Sequence, residues 1–294
     1  MARLVADVGG TNTRVALGTA APRSFRNANW PDLYALLGTF LDGQDAPDEI
    51  VIAVAGPVRG TQARLTNRDW RIDSGALCGR FGAPRAHLLN DLAALGHALP
   101  GLPPAALHAI DGGTRPTADM QALVVGIGTG FNVSPCIVQA GHVTCPPVEA
   151  GHVSLPAGIH AALGIDPAPF PTVESLFSGA GFTRFCRAHL QDPDIDGKRV
   201  IAGVADPDLG AVAEHYATLL GHLLRDLSLA YLPRDGLFLA GSVARALMNV
   251  ASTPCRDALH QPISLEGFAA PPLWTITDDS AALRGCASFQ FSPS

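Results

Sequence analysis

A chain of 294 residues, 47% hydrophobic and 16% charged, has a globular composition and enough length for a sizeable core and two lobes. Its formal net charge of −6 excludes a general attraction to nucleic acid or anionic membrane, and no stretch is apolar for long enough to span a bilayer. Lys198 is its one lysine, so a phosphate site here must draw on backbone amides, hydroxyls, arginine or metal.

Residues 3–8 are apolar and β-prone, and Gly9-Gly10-Thr11-Asn12 then breaks the run. Val15 and Leu17 alternate with Arg14 and Ala16, which reads as a second strand. The unit is strand, glycine turn, strand, whereas a Rossmann or P-loop unit would enter a helix at once. Leu33, Leu36, Leu37, Phe40 and Leu41 predict a helix over 30–41, with Pro31 in its first turn. A short buried strand over 50–55 follows, ending at Gly56-Pro57, and then a helix capped by Ser74 and running to about Phe81. His87-Leu88-Leu89 reads as a strand with Asn90-Asp91 at its end, and Leu92 to Leu99 as a helix. The sequence Pro100-Gly101-Leu102-Pro103-Pro104 marks a lobe boundary.

Leu123 to Gly126 is another apolar strand, which meets Gly128-Thr129-Gly130-Phe131-Asn132 before Ile137-Val138. This repeats the N-terminal pattern and suggests an internally duplicated α/β architecture. A long amphipathic helix spans 206–232, a strand covers Leu237 to Ala240, and Gly241-Ser242 leads into a helix from about Ala244. A last strand over 273–277 and a final helix from about Ser280 close the chain. The alternation of strands and helices points to α/β layers. Cysteines 78, 136, 145, 186, 255 and 286 are scattered with no Cys-x-x-Cys, as expected for reduced thiols in a cytoplasmic protein and not for a zinc site.

The residue types allow more than one chemistry at each candidate position. Asp7 and the turn Gly9-Gly10-Thr11-Asn12 could form an anion nest with a carboxylate beside it for Mg²⁺, or an ordinary hairpin. Gly128-Thr129-Gly130 repeats that logic. Asp91 could take a proton from an attacking hydroxyl, or merely cap the next helix. Glu149 and His152, set around Gly151, could bind vicinal hydroxyls or form a loop ion pair. Taken alone, Glu174 is an acidic residue near a helix start, and Thr66-Asn67 is a turn.

Eight pieces, in order, carry a resemblance. They are Asp7-Val8-Gly9-Gly10-Thr11-Asn12, Ala55-Gly56-Pro57-Val58, Thr66-Asn67 with Trp70, and Leu89-Asn90-Asp91 with Ala98-Leu99-Pro100. Gly126 to Gly130, Glu149-x-Gly151-His152, Glu174 with Ser178-Gly179-x-Gly181, and Ala240-Gly241 complete the series. In these the chain resembles the bacterial glucokinases of the hexokinase/actin-like superfamily, from about residue 3 to the last helix.

The resemblance implies an α/β fold of the two-lobed, duplicated actin-like ATPase (ribonuclease H-like) type. Residues 1–104 would form a small lobe, with the C-terminal helix of about 280–294 packed back on it, and 105–279 a large lobe. It implies a cytoplasmic kinase that uses Mg-ATP on a hexose, glucose first, and whose lobes close to exclude water. A homodimer is common in the family. By position, Asp7 and Gly9, Gly10, Thr11 and Asn12 would face the phosphates, with Asp7 holding Mg²⁺ through water. Gly128, Thr129 and Gly130 would hold the phosphates from the other lobe, and Gly241-Ser242 would lie against adenosine. Asn90, Asp91, Glu149, His152 and Glu174 would bind the sugar, Thr66 and Asn67 would line its cleft, and Asp91 would be the base.

Three positions depart from the family pattern. Phe131-Asn132 stands where another glycine is usual, Ala150 replaces a glycine, and Gly241-Ser242 lacks a second glycine. Asn132 is expected to crowd the phosphates and alter nucleotide affinity. Kinases of fructose, mannose or an N-acetylhexosamine share the chemistry. The other class is a non-catalytic sugar sensor, disfavoured by the absence of room for a helix-turn-helix before Arg3 and by the acidic charge.

Overall fold

The computed structural model describes residues 2–112, 119–263 and 265–291. The protein is a mixed α/β fold with three sheets among the described residues, and it divides into two compact units. One comprises the chain up to Leu102 and again from Asp279, and the other Pro103–Asp278.

The first unit contains β1 (Arg3–Val8), β2 (Asn12–Leu17), β3 (Arg23–Arg26), α1 (Leu33–Phe40) and β4 (Glu49–Val54). It continues through β5 (Val58–Arg59), β6 (Gln62–Arg64), β7 (Arg71–Asp73), α2 (Ser74–Phe81), β8 (Ala86–Asn90) and α3 (Asp91–Ala98). The C-terminal helix, Ala281–Ser288, returns to it. The main sheet runs β3-β2-β1-β4-β8, with β1–β3 antiparallel and β1, β4 and β8 parallel.

β4 shows how the sequence sets these layers. All six residues of Glu-Ile-Val-Ile-Ala-Val are buried, and the five from Ile50 to Val54 form a continuous apolar run, as expected of a strand covered on both faces. Alternate side chains serve different cores. Ile50, Ile52 and Val54 pack with Leu33, Leu36 and Leu37 of α1. Val51 and Ala53 pack with Ala94 of α3 and Ala282, Leu283 and Cys286 of the C-terminal helix.

Arg3 ties the two ends of the chain together. Its Nη1 donates to the carbonyls of Cys286, Ala287 and Phe289 at 3.2, 2.7 and 2.7 Å, placing a cation on the carbonyl end of the last helix. Its Nε donates to Glu49 Oε2 at 2.7 Å, and Arg85 pairs with the other oxygen of this buried carboxylate. Burial alone would raise the Glu49 carboxyl, but the two arginines hold it below its ordinary value.

The second unit contains β9 (Leu107–Ala109), β10 (Met120–Ile127), β11 (Phe131–Gln139), β12 (His142–Thr144), α4 (Ala157–Ala162) and α5 (Val173–Leu176). α6 (Gly179–Leu190), α7 (Gly197–Ala202), α8 (Pro207–Tyr231), β13 (Leu237–Ala240), α9 (Ser242–Leu259) and β14 (Leu273–Ile276) follow. Its sheet runs β12-β11-β10-β13-β14-β9. The first five strands repeat the order and sense of the main sheet of the first unit: an antiparallel three-strand meander, then two parallel strands. Leu123, Val125 and Ile127 of β10 share a core with Val212, Tyr216, Leu219, Leu220 and Leu223 of α8. Asp206 caps α8 by accepting from the Asp208 and Leu209 amides, with Pro207 in the first turn. Among the described residues, no helix is long and apolar enough to cross a membrane.

Two of the helix starts that differ from the sequence expectation are set by a neighbouring carboxylate. Pro31 lies outside α1, because Asp32 is the cap and accepts from Ala35 N. Ser74 is the first residue of α2, and Asp73 is its cap, accepting from Ala76 N. In both, a carboxylate one position away satisfies the amide two residues into the helix. The small sheet β5-β6-β7 and helices α4, α6 and α7 have no counterpart in the sequence reading.

The C-terminal helix depends on one close approach. A Cβ on Gly285 would fall inside the van der Waals envelope of the Ala94 carbonyl of α3. Gly285→Ala is therefore expected to destabilise the protein by about 1–3 kcal/mol through overpacking. An unchanged denaturation midpoint and slope would contradict this packing.

Candidate functional site

In the first unit the candidate residues gather at one edge of the main sheet. The parallel register aligns Val8 with Val54 and Val54 with Asn90, so β1, β4 and β8 end in one row. Asp7 precedes this row on β1, and Asp91 follows it as the first residue of α3. Two carboxylates thus lie at one sheet edge, where the ends of parallel strands commonly bind ligands.

Their electrostatics differ. Burial pushes the Asp7 carboxyl up, and Arg14, with Nη1 at 3.5 Å from Asp7 Oδ2, opposes that shift without cancelling it. Burial and the negative charge of Asp7 push Asp91 up to about 6, against the Leu92 amide that donates to Asp91 Oδ1 at 3.0 Å. Asn90, not Asp91, is the helix cap. Its Oδ1 accepts from Leu92 N at 3.0 Å and its Nδ2 donates to the Gly56 carbonyl at 3.1 Å.

The glycine turn between β1 and β2 is held from within. Gly9 N donates to the Asn12 carbonyl at 3.0 Å. The fully buried Asn27 completes the frame: its Nδ2 donates to the Gly9 carbonyl at 2.7 Å and its backbone N–H to the Thr11 carbonyl at 2.9 Å. Its Oδ1 accepts from Thr13 Oγ1 at 2.8 Å. Thr11 and Asn12 remain exposed at the tip. Asn67 lies over Gly10, where an added Cβ would sit 3.3 Å from its Nδ2. Thr66 N and Oγ1 both donate to the Ala55 carbonyl, at 3.2 and 3.1 Å. Asp7, Gly9, Gly10, Thr11, Asn12, Thr66, Asn67, Asn90 and Asp91 thus share one end of this unit.

In the second unit the turn between β10 and β11 holds Gly128, Thr129 and Gly130. Gly128 N donates to the Gly130 carbonyl at 3.0 Å, and Gly179 N donates to the Gly128 carbonyl at 2.8 Å. Glu174 Oε2 accepts from Phe131 N at 2.8 Å and lies where a Cβ on Gly130 would come within 2.5 Å of it. Gly241, at φ +95°, presses against the Ile127 backbone so closely that a Cβ would overlap its carbonyl. Gly151 approaches the Phe131 carbonyl in the same way. Glu174, Gly241 and the Glu149–His152 segment therefore all converge on the β10–β11 turn. Glu149 and His152 are themselves exposed.

Asn132 bonds to the Glu149 segment. Its Nδ2 donates to the Val148 carbonyl at 2.7 Å and to Glu149 Oε2 at 3.3 Å, and its Oδ1 accepts from Ala150 N at 2.9 Å. Asn27 and the bond from Phe131 to Glu174 were missed from sequence. Each joins positions more than ten residues apart, and no short motif marks such a pair.

Asp91 gives this edge a pH signature. Its raised pKa means the folded state holds a proton that the unfolded chain has released between about pH 4 and 6. Stability from this group therefore falls as pH rises through that window and stays low above it. Asp91→Asn is expected to raise the melting temperature at pH 7.5, with the gain disappearing by about pH 4. A lower melting temperature at pH 7.5 would contradict the buried-charge account.

Comparison with known proteins bears on both halves. A family model described as Glucokinase matches residues 4–292. A glucokinase of Caulobacter vibrioides is 28% identical, over 97% of this chain and 93% of its own. One from Chromobacterium violaceum is 30% identical, over 97% of this chain and 88% of its own. The crystal structure of a glucokinase from an Antarctic psychrotroph superposes with a TM-score of 0.86 at 26% identity, covering 98% of each chain. A ROK family glucokinase from Streptomyces griseus, solved with glucose and AMPPNP, shares the fold at a TM-score of 0.67 and 16% identity, over 98% of each chain.

Proposed function

The chain belongs to the glucokinase family, and on that premise we propose that it transfers the γ-phosphoryl group of Mg-ATP to the 6-hydroxyl of glucose, with Asp91 as general base. The observation that carries the assignment of the base is Asp91 itself. It is a carboxylate at a strand end, pushed up to about 6 by burial and by Asp7, beside a glycine turn. A carboxylate with this pKa is a stronger base than an ordinary aspartate, yet is mostly ionised at neutral pH.

The repeated sheet order supports reading the chain as a duplicated actin-like (ribonuclease H-like) fold. The unit up to Leu102 with the C-terminal helix is read as its small lobe, and Pro103–Asp278 as its large lobe. Sugar hydroxyls are assigned to Asn90, Asp91, Glu149, His152 and Glu174, and a less direct lining role to Thr66 and Asn67. The phosphates are assigned to the amides and hydroxyls of Gly9–Asn12 and Gly128–Gly130, and adenosine to Gly241. With a single lysine in the chain, backbone donors carry the phosphate contacts.

Asp7 suits a hydrated Mg²⁺, since burial has raised a hard oxygen donor that a nearby cation would favour in its ionised form. When bound, the ion supplies neutralisation of phosphate charge. The chain's own residues supply the rest. Asp91 accepts the 6-hydroxyl proton as that oxygen attacks the γ-phosphorus in line. The bond from phosphorus to the bridging oxygen of ADP breaks, and Asp91 is left protonated. Glu149, His152 and Glu174 fix the sugar, and an analogue lacking a paired hydroxyl leaves one of these polar groups without its partner.

Asp91→Asn is expected to keep glucose binding within about tenfold and to cut kcat by about 10²–10⁴. Near-normal turnover would remove Asp91 as the base. In the wild type, kcat/KM is expected to fall about tenfold per pH unit below about pH 6, because protonated Asp91 cannot accept the hydroxyl proton. A rate that holds constant down to pH 4.5 would contradict the assignment.

A further inference from the structure

Two consecutive residues at the start of β11 hold the two glutamates assigned to the sugar. Phe131 does so through its backbone, with its N–H donating to Glu174 Oε2 at 2.8 Å. Asn132 does so through its side chain. Its Nδ2 bonds to the Val148 carbonyl before Glu149 and, at 3.3 Å, to the Glu149 carboxylate itself. Its Oδ1 accepts from the Ala150 amide after Glu149 and from its own neighbour, Val133 N, each at 2.9 Å. One amide thus clamps the backbone on both sides of Glu149 and also its Oε2.

We propose that Asn132 is a positioning residue for sugar binding, setting the backbone and carboxylate of Glu149 for the hydroxyls of the hexose. The assignment rests on Glu149 being a sugar ligand, as argued above. Three features give it weight. Glu149 is exposed and lies at φ −126°, ψ 57°, outside the regular helix and strand regions, so its direction must be set by its bonds. The turn Ala150–His152 that follows carries His152, so the same clamp also places the second ligand of the segment. Asn132 is itself fixed by the ladder, opposite Gly126 in the β10–β11 register, and a strand is a firmer anchor than a loop.

The chemistry of the amide is specific. It needs a donor toward the Val148 carbonyl and the Glu149 carboxylate, and an acceptor toward the Ala150 amide, and asparagine supplies both from one short side chain. Aspartate keeps the shape and the acceptor but turns the donor into a second oxygen facing Glu149. At neutral pH two carboxylates then oppose each other, and on acidification the pair can share a proton and restore a hydrogen bond.

The test compares wild type, Asn132→Ala and Asn132→Asp by calorimetric glucose titration, with KM for ATP measured in parallel. Asn132→Ala is expected to weaken glucose binding about tenfold or more, the scale of losing a hydrogen bond to a charged group, and to change KM for ATP less than about twofold. Asn132→Asp is expected to bind glucose more weakly still at pH 7.5 and to recover part of the loss at pH 5.5. A merely structural role would not produce that recovery. Should Asn132→Ala not fold, the near-isosteric Asp variant carries the test alone. Glucose affinity unchanged in the variants, or a change confined to KM for ATP, would overturn the positioning role while leaving the kinase reading intact. A wild type that binds no glucose would overturn both, and this control separates the two failures.

Discussion

Asp91 is ionised only against the cost of its burial and of the negative charge of Asp7 at the same sheet edge. That one unfavourable charge shapes much of the first unit. The parallel register of β1, β4 and β8 brings both acids to a common edge, and the layers on both faces of β4 keep that edge rigid. Arg14 moderates Asp7, and the Leu92 amide moderates Asp91, but neither removes the repulsion. Buried negative charge held in this way favours a cation and a proton, the two species that the proposed phosphoryl transfer from Mg-ATP to a hydroxyl would bring.

In each unit the candidate segments are built by backbone fixed from a distance. Asn27 holds the Gly9 and Thr11 carbonyls, so the amides of the first glycine turn keep their direction. Gly179 holds the Gly128 carbonyl of the second turn, and Glu174 sits against Gly130 and Phe131. The glycines at 130, 151 and 241 are required by close approach, since a Cβ at each would meet Glu174 or the backbone of Phe131 or Ile127. Rigid placement of this kind matters most for a reaction that relies on positioning rather than on protein covalent chemistry.

Much of this was legible in the sequence because it is local. The two strand–glycine–strand hairpins, the buried strand β4, the long helix α8 and the strand ends carrying Asp7 and Asn90-Asp91 all follow from periodicity and turn residues within a few positions. The cap of α2 lies one residue earlier than expected, where Asp73 and Ser74 compete, and α1 starts three residues later, because Pro31 invites a start before Asp32. The short strands β5–β7 lack any strong periodic signal. Asn132 shows the deeper limit. Its residue type and its place beside a glycine turn do not reveal its partners, which lie 16 to 18 residues on, in a segment whose approach only the folded chain defines. The identity of a side chain limits which bonds it can make, and tertiary structure decides which of them form.

The most direct measurement is ADP release by the purified chain with Mg-ATP and a panel of hexoses, each at low and high concentration. The account predicts strong turnover that depends on glucose and exceeds the rate with fructose, mannose and N-acetylhexosamines at low concentration. Folded protein that binds glucose yet releases no ADP with any hexose would contradict it.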